Sequence, residues 1–446
     1  MGKERDKGWL SRAGDASLEE SNHSVAIPEN GNFFKKLFAF MGPGVLVAVG
    51  FIDPGNWETS ISAGSSFGYM LLSVVLLSNL IAMLMQGLSA KLGIATGRDL
   101  AQATRDAFHP KVVVVLWLLT ELAIIATDLA EVLGSAIALN LLFHIPIMVG
   151  IIITALDVLL LLLLQKKGFR WMEAIITVLM VTIAGCFLFE MIFSHPALSE
   201  AVKGYIPSPE IVTNPSVLFL ALGILGATVM PHNLYLHSSI VQTRNYQDTE
   251  KGKKEAVKFA YIDSTFSLGV AFFVNSAILI LGAAAFHTIG QHVEGIEDAY
   301  KLLSPAIGAG AASFLFGFAL LLSGQSSTIT GTLTGQIVME GFIQFRIKPW
   351  VRRLVTRIIA IIPALIVVGI YGPSSTGDLL VWSQVILSLQ LSFAVIPLVL
   401  FTSSKKKMGS FVNKPHIKVL AWTATGLIVS LNAFMLGYMI VTGHAL

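Results

Sequence analysis

Runs of about twenty apolar residues, separated by short polar segments, recur along the whole chain. A helix of about twenty residues, rising 1.5 Å per residue, matches the roughly 30 Å hydrocarbon core of a bilayer. The pattern predicts eleven spans, at roughly 40–63, 70–91, 112–141, 145–165, 172–194, 216–240, 258–286, 309–334, 354–371, 378–401 and 418–441. Spans one and six are each interrupted. Span one contains FIDPGNWETS, Phe51 to Ser60, and span six contains GATVMPHNLYLH, Gly226 to His237. Proline removes a backbone donor and clashes with the preceding turn, so the helix opens there. Opened backbone is tolerated at that depth only where it lines a cavity or is buried in protein.

The two breaks share one pattern: a ligand-type residue, proline, any residue, asparagine. It reads Asp53-Pro54-Gly55-Asn56 in span one and Met230-Pro231-His232-Asn233 in span six. Five spans separate them, so the two halves run through the membrane in opposite directions. We therefore expect an all-α polytopic protein with a 5+5 inverted repeat: a first repeat at about 38–195, a second at about 215–402, and an extra helix at about 418–441. Broken helices at matched places in inverted repeats point to a secondary transporter's midplane site. The competing reading is a pair of proline kinks with polar residues that serve packing. The matched positions and the charge of Asp53, costly at that depth, favour a site.

Composition agrees. Hydrophobic residues make up 54% of the 446 and charged residues only 13%, about half the share of a soluble domain. This excludes a soluble enzyme with one anchor, and the lipid bilayer is the expected surrounding. The net charge of +3 gives no sign of a nucleic-acid partner. With the N-terminus placed inside, all but Lys203 and Lys301 of the 30 lysines and arginines fall on the cytoplasmic side, as the positive-inside rule requires. The C-terminus is then extracellular. Residues 1–37, which lack a signal-peptide core, read as a flexible cytoplasmic tail. Residues 38–446 read as one eleven-span transporter domain. Cys186 is the only cysteine, so neither an intrachain disulfide nor a cysteine zinc site is available.

The candidate ligands near the breaks are the Asp53 carboxylate, the Asn56 amide oxygen, the Met230 thioether and a freed carbonyl such as that of Ala227. Oxygen donors suit divalent cations in general. A thioether adds little for Mg²⁺ or Ca²⁺ and favours transition metals. His232 is a candidate ligand or proton carrier. His232 and His237, five residues apart, lie on different helix faces and make a poor zinc pair. Hydrolase, metalloprotease and phosphate-loop motifs are absent from the sequence. Rival readings are a magnesium carrier on the same fold, disfavoured by Met230; an amino-acid transporter, whose substrate carboxylate Asp53 would repel; a channel, for which filter repeats are lacking; and a membrane-embedded enzyme, which lacks a catalytic signature.

The two break motifs resemble the metal-binding signatures of the Nramp family of divalent metal transporters. SGQSSTITGTLTGQIVMEGF, Ser323 to Phe342, is similar to that family's transport motif near span eight, and ELAIIATDLAEVLGSAIALN, Glu121 to Asn140, to its third span. The resemblance covers the chain after about residue 37. One departure is Ser392, in SLQLSFAVIP, where the family pattern has proline. The resemblance implies a LeuT-like fold with an eleventh helix. It implies import of Mn²⁺ or Fe²⁺ coupled to H⁺ across the cell membrane, with no resident cofactor and no obligate protein partner. It also implies Asp53, Asn56, Met230 and the Ala227 carbonyl as metal ligands, with Gln384 approaching the ion in some states.

Span three carries Glu121, Asp128 and Glu131. Helical spacing puts the first two on nearly one face, with Glu131 about 60° from Asp128. Arg352, Arg353 and Arg357 at the start of span nine are the expected partners. Protons are expected to pass from Asp53 toward Asp128 and Glu131; a purely structural ion-pair network is the alternative. Asp157 and Asp263 receive no specific role. Ser323, Gln325, Ser326, Ser327, Thr328 and Thr330 make span eight polar, either for packing or for a water path.

Overall fold

Apolar stretches of this length form helices because only intrahelical hydrogen bonds satisfy the backbone in hydrocarbon. The computed structural model describes residues 17–28, 31–156, 168–290, 293, 295–307, 310–372 and 375–442. Among these, nine helices are long and apolar enough to cross a membrane, and a bent pair, Phe33–Phe40 with Pro43–Gly50, would make ten. The expected fourth span is present as Ile147–Ile153 and a following turn, Thr154–Leu156; the rest of it, including Asp157, lies outside the described residues. Span eleven is the helix Pro415–Thr442.

Both breaks fall where the prolines place them. Span one is split into Pro43–Gly50 and Pro54–Phe67, and span six into Pro215–Val229 and Pro231–Ile240. Several helices outrun their apolar stretches. Span seven is Glu250–Ala285, started by the Thr249 side chain accepting from the Gly252 N–H at 3.1 Å. Span eight is Ala312–Ile343, its last turns carrying a Gln336–Glu340 hydrogen bond of 2.9 Å. Hydropathy marks where a helix meets lipid, not where it ends. Span ten, Thr376–Thr402, is continuous through Ser392. The Ser392 hydroxyl accepts from Asn432 of span eleven at 3.3 Å, and Asn432 also bonds Ser388. Where the family pattern has a ring, this chain has a polar tie between its last two helices.

At the end of the bundle that carries the basic residues, residues 17–28 lie against the helices. Val25–Ala26 pairs in parallel with Arg244–Asn245. The Leu18 N–H donates to Glu340 at 3.0 Å, and Glu19 pairs with Arg346 at 2.8 Å. This part of the N-terminal segment, read from sequence as flexible, is therefore packed, and Leu18 and Val25 are buried. Asp263, given no role from sequence, accepts from the N–H groups of Gly42 at 3.2 Å and Gly44 at 2.7 Å. It caps the first half of span one, where a negative charge complements the helix N-terminus. Arg244, fully buried, holds the adjoining elbow through the carbonyls of Phe40 at 2.8 Å and Met41 at 2.9 Å, and pairs with Glu173 of span five at 2.8 Å.

Candidate metal site at the helix breaks

Span one opens over Phe51–Asp53. Asp53 takes an extended conformation, φ −69° and ψ 163°, and its carboxylate accepts from the Asn56 N–H at 2.9 Å. Asp53 is thus the N-cap of the second half-helix, with Pro54 at the position that needs no donor. The carbonyls freed by the break are met by side chains from elsewhere in the chain. Asn233 donates to Val47 O at 3.4 Å and Asn275 to Phe51 O at 2.8 Å. Trp57 Nε1 donates to Ile52 O at 3.0 Å, and the Ser323 hydroxyl to the same oxygen. The carbonyls of Val47, Phe51 and Ile52 are therefore already engaged, as buried carbonyls must be.

Span six opens at Met230, which has φ +22° and ψ 105°. Positive φ in a residue with a side chain stores about 1–3 kcal/mol and persists only where the surroundings impose it. The break brings the Ala227 carbonyl of the second repeat to Asn56 of the first. The Asn56 amide nitrogen donates to Ala227 O at 2.8 Å and to Asp53 Oδ1 at 3.1 Å. A carboxylate oxygen and a carbonyl oxygen from opposite repeats thus converge on one amide donor.

The expectation for Asn56 was an oxygen ligand. In this structure its nitrogen faces the two oxygens, because two acceptors require a donor between them. A divalent cation between those oxygens would supply the positive charge instead, and half a turn of the amide would then bring Asn56 Oδ1 toward it. Asp53 Oδ2 and Gln384 Oε1 are buried oxygens without a hydrogen-bond partner among the described residues, an arrangement that is costly unless something positive visits. Gln384 lies against Gly55, where a Cβ would overlap its side chain, so span ten closes on the second half of span one. The fully buried Met230 places its sulfur 3.5 Å from the Asn233 amide nitrogen. Among the described residues there is no group of three or more His, Cys, Asp or Glu able to hold a metal. The candidate donors are instead one carboxylate with amide, carbonyl and thioether groups, a set that would suit a transition-metal ion.

Span three, Pro110–Phe143, packs on the span-one break where Gly134 meets the Pro54 ring. A side chain at Gly134 would displace that ring. Gly134→Val is expected to cost about 1–3 kcal/mol by overpacking, read as a lower unfolding midpoint in detergent, and an unchanged midpoint would mean the contact is loose. One turn earlier on span three, Glu131 is within electrostatic range of Asp53. Arg353 Nη2 pairs with Glu131 Oε2 at 3.0 Å, and Arg353 Nη1 pairs with Asp128. Arg357 donates to the Asp128 carbonyl at 3.2 Å and to Thr328 Oγ1 at 3.0 Å, while the Thr328 hydroxyl donates to Glu131 at 3.0 Å. Asp128, Glu131, Arg353 and Arg357 are all at most 1% exposed. Farther toward the basic end, Glu121 pairs with Arg352 at 2.8 Å and accepts from Trp117 at 3.0 Å.

The expected acids and arginines therefore meet, but in two groups, with Glu121 and Arg352 apart from Asp128, Glu131 and Arg353. His232 Nδ1 lies 3.3 Å from the hydroxyl of Thr127, the residue before Asp128. His237 instead faces Gln86 at 3.1 Å, so the two histidines do point to different helices. Sequence reasoning placed Asn233 in the break pattern without giving it a role, and it missed Asn275. Asn275, in the apolar run FFVNSAILIL, was the kind of isolated buried polar residue that signals a partner.

The family model described as natural resistance-associated macrophage protein-like matches residues 44–437. A protein of Listeria welshimeri named "Divalent metal cation transporter MntH" is 62% identical over 441 residues, covering 98% of each chain. A crystal structure of the Eremococcus coleocola manganese transporter, in complex with an aromatic bis-isothiourea substituted compound, superposes with a TM-score of 0.87 at 44% identity, covering 94% of this chain and 90% of that one. Mhp1, a nucleobase-cation-symport-1 family transporter, superposes with a TM-score of 0.62 at 13% identity over 96% of this chain and 95% of that one, a likeness of fold alone. With this sequence match along nearly its whole length, the chain is a multi-pass membrane transporter rather than an enzyme, and it belongs to the Nramp family.

Proposed function

We propose that the chain imports divalent transition-metal ions, Mn²⁺ and Fe²⁺, in symport with protons across the plasma membrane, by alternating access. The N-terminus is cytoplasmic and the C-terminus extracellular. The observation that carries this reading is the Asn56 amide held between Asp53 and the Ala227 carbonyl, one oxygen from each repeat. An ion bound there joins the two repeats at their breaks, and their rocking exposes it to one side and then the other. The printed names of the relatives, divalent metal cation transporter and manganese transporter, support the choice of cargo.

The proton route runs from Asp53 to Glu131 and Asp128, with His232 beside it. Asp128 Oδ2 and Glu131 Oε1 have no hydrogen-bond partner among the described residues and are the oxygens we assign to receive a proton. Arg353 and Arg357 keep these acids from the full cost of burial. An inside-negative potential drives a divalent ion inward with roughly 4.6 kcal/mol per 100 mV, and one accompanying proton adds about 2.3 kcal/mol.

Met230 sets this reading apart from magnesium transport. In proteoliposomes, Mn²⁺ uptake with internal acidification is expected of the wild type. Met230→Ala is expected to keep part of its Mn²⁺ uptake and to become more sensitive to Mg²⁺ competition, because the remaining oxygens distinguish the two ions poorly. Magnesium uptake by the wild type at similar efficiency would overturn the transition-metal assignment. Manganese uptake with no internal pH change would overturn the coupling.

A further inference from the structure

The two motif asparagines do parallel things. Asn56 donates its amide to Asp53, the residue before its own proline, and to the Ala227 carbonyl of the other repeat. Asn233 donates its amide to the sulfur of Met230, the residue before its own proline, at 3.5 Å, and to the Val47 carbonyl of the other repeat at 3.4 Å. The correspondence is approximate. The position matching Ala227 is Gly50, one turn nearer the break than Val47, and the Asn233 amide lies directly against it: a Cβ at Gly50 would sit 2.5 Å from the Asn233 nitrogen. Asn233 Oδ1 is buried without a hydrogen-bond partner among the described residues. The amide orientation follows from its neighbours, since the opposite one would point an oxygen at both a sulfur and a carbonyl oxygen.

We infer that Asn233 is a positioning residue that determines metal preference: its N–H fixes the Met230 thioether and ties it to the first half of span one. This rests on the metal-transport reading above. The N–H engages one sulfur lone pair and leaves the other for the ion. It also joins the span-six break to the first half of span one, as Asn56 joins the span-one break to span six. The two asparagines differ in what the ion asks of them. Asn56 turns its oxygen to the ion and releases Ala227, whereas Asn233 keeps its N–H on the sulfur and on Val47. The soft side of the site is therefore held by a second residue, and partners of this kind typically change metal affinity by about 10–100-fold when removed.

The test is a double-mutant cycle on the full-length protein in lipid nanodiscs, with Cd²⁺ and Mn²⁺ binding measured by calorimetry. Cd²⁺ depends most on the sulfur and Mn²⁺ most on the oxygens. Asn233→Ala is expected to weaken Cd²⁺ by about tenfold and Mn²⁺ by much less, lowering the Cd²⁺/Mn²⁺ ratio. In the Met230→Ala background the same substitution is expected to leave the ratio unchanged to within about twofold. Gly50→Ala, which displaces the amide without removing it, is expected to lower the ratio in the same direction and serves if Asn233→Ala folds poorly. Equal loss of both metals, or a drop in ratio that persists without Met230, would overturn the inference and leave Asn233 as a structural tie. A wild type that binds neither metal would overturn the transport reading itself, and this inference with it.

Discussion

Asp53→Asn is expected to abolish divalent metal uptake while leaving the protein as stable as the wild type or more so. Asp53 is fully buried, and one of its oxygens has no hydrogen-bond partner among the described residues. In the ion-free protein that charge is a burden, so an isosteric amide relieves it. With a divalent ion present the balance reverses. At an effective dielectric of about 20 and a separation of about 4 Å, a unit charge and a divalent ion attract by roughly 8 kcal/mol. If desolvation cancels all but about 2.8 kcal/mol of this, the remainder is still a hundredfold in affinity. The check is a pair of measurements on one preparation, the unfolding midpoint and metal uptake. A variant that unfolds earlier and still transports would contradict both halves of the expectation.

The second large effect is expected at Arg353. This guanidinium pairs with Asp128 and Glu131 at once, with all three groups at most 1% exposed. Arg353→Ala leaves two buried carboxylates to Arg357, whose guanidinium lies 3.6 Å from Glu131 and donates to the Asp128 carbonyl. Removing one partner of a buried pair costs about 3–5 kcal/mol, enough to lower the unfolding midpoint by many degrees. Glu131→Gln is much milder, because Arg353 keeps Asp128 and the Thr328 hydroxyl still finds an acceptor. Its expected consequence is functional: metal enters, and the internal pH no longer falls with it. Simultaneous recording of uptake and internal pH separates the two variants. Unchanged metal-driven acidification in Glu131→Gln would remove Glu131 from the proton route.

The breaks were legible in the sequence because proline acts locally, and the second half of each broken helix begins at Pro54 or Pro231 itself. The acids of span three and the arginines of span nine were legible as partners because charges buried in lipid must find each other. What the sequence left open was register across helices. Helical spacing placed Glu121 and Asp128 on one face, but only the packing of spans three and nine divides them between Arg352 and Arg353. The donors that satisfy the span-one carbonyls, Asn233, Asn275 and Ser323, come from three other helices. Sequence spacing carries no trace of such contacts. The helices that run past their apolar stretches show the same limit, since hydropathy reports on lipid and not on hydrogen bonding.

In the function proposed above, the two breaks together form one metal site of several oxygens and a single sulfur. X-ray absorption at the manganese edge of the Mn²⁺-loaded protein tests it most directly. The account predicts an oxygen shell with one sulfur scatterer, and loss of the sulfur alone in Met230→Ala. An oxygen-only shell in the wild type, unchanged in the variant, would contradict it.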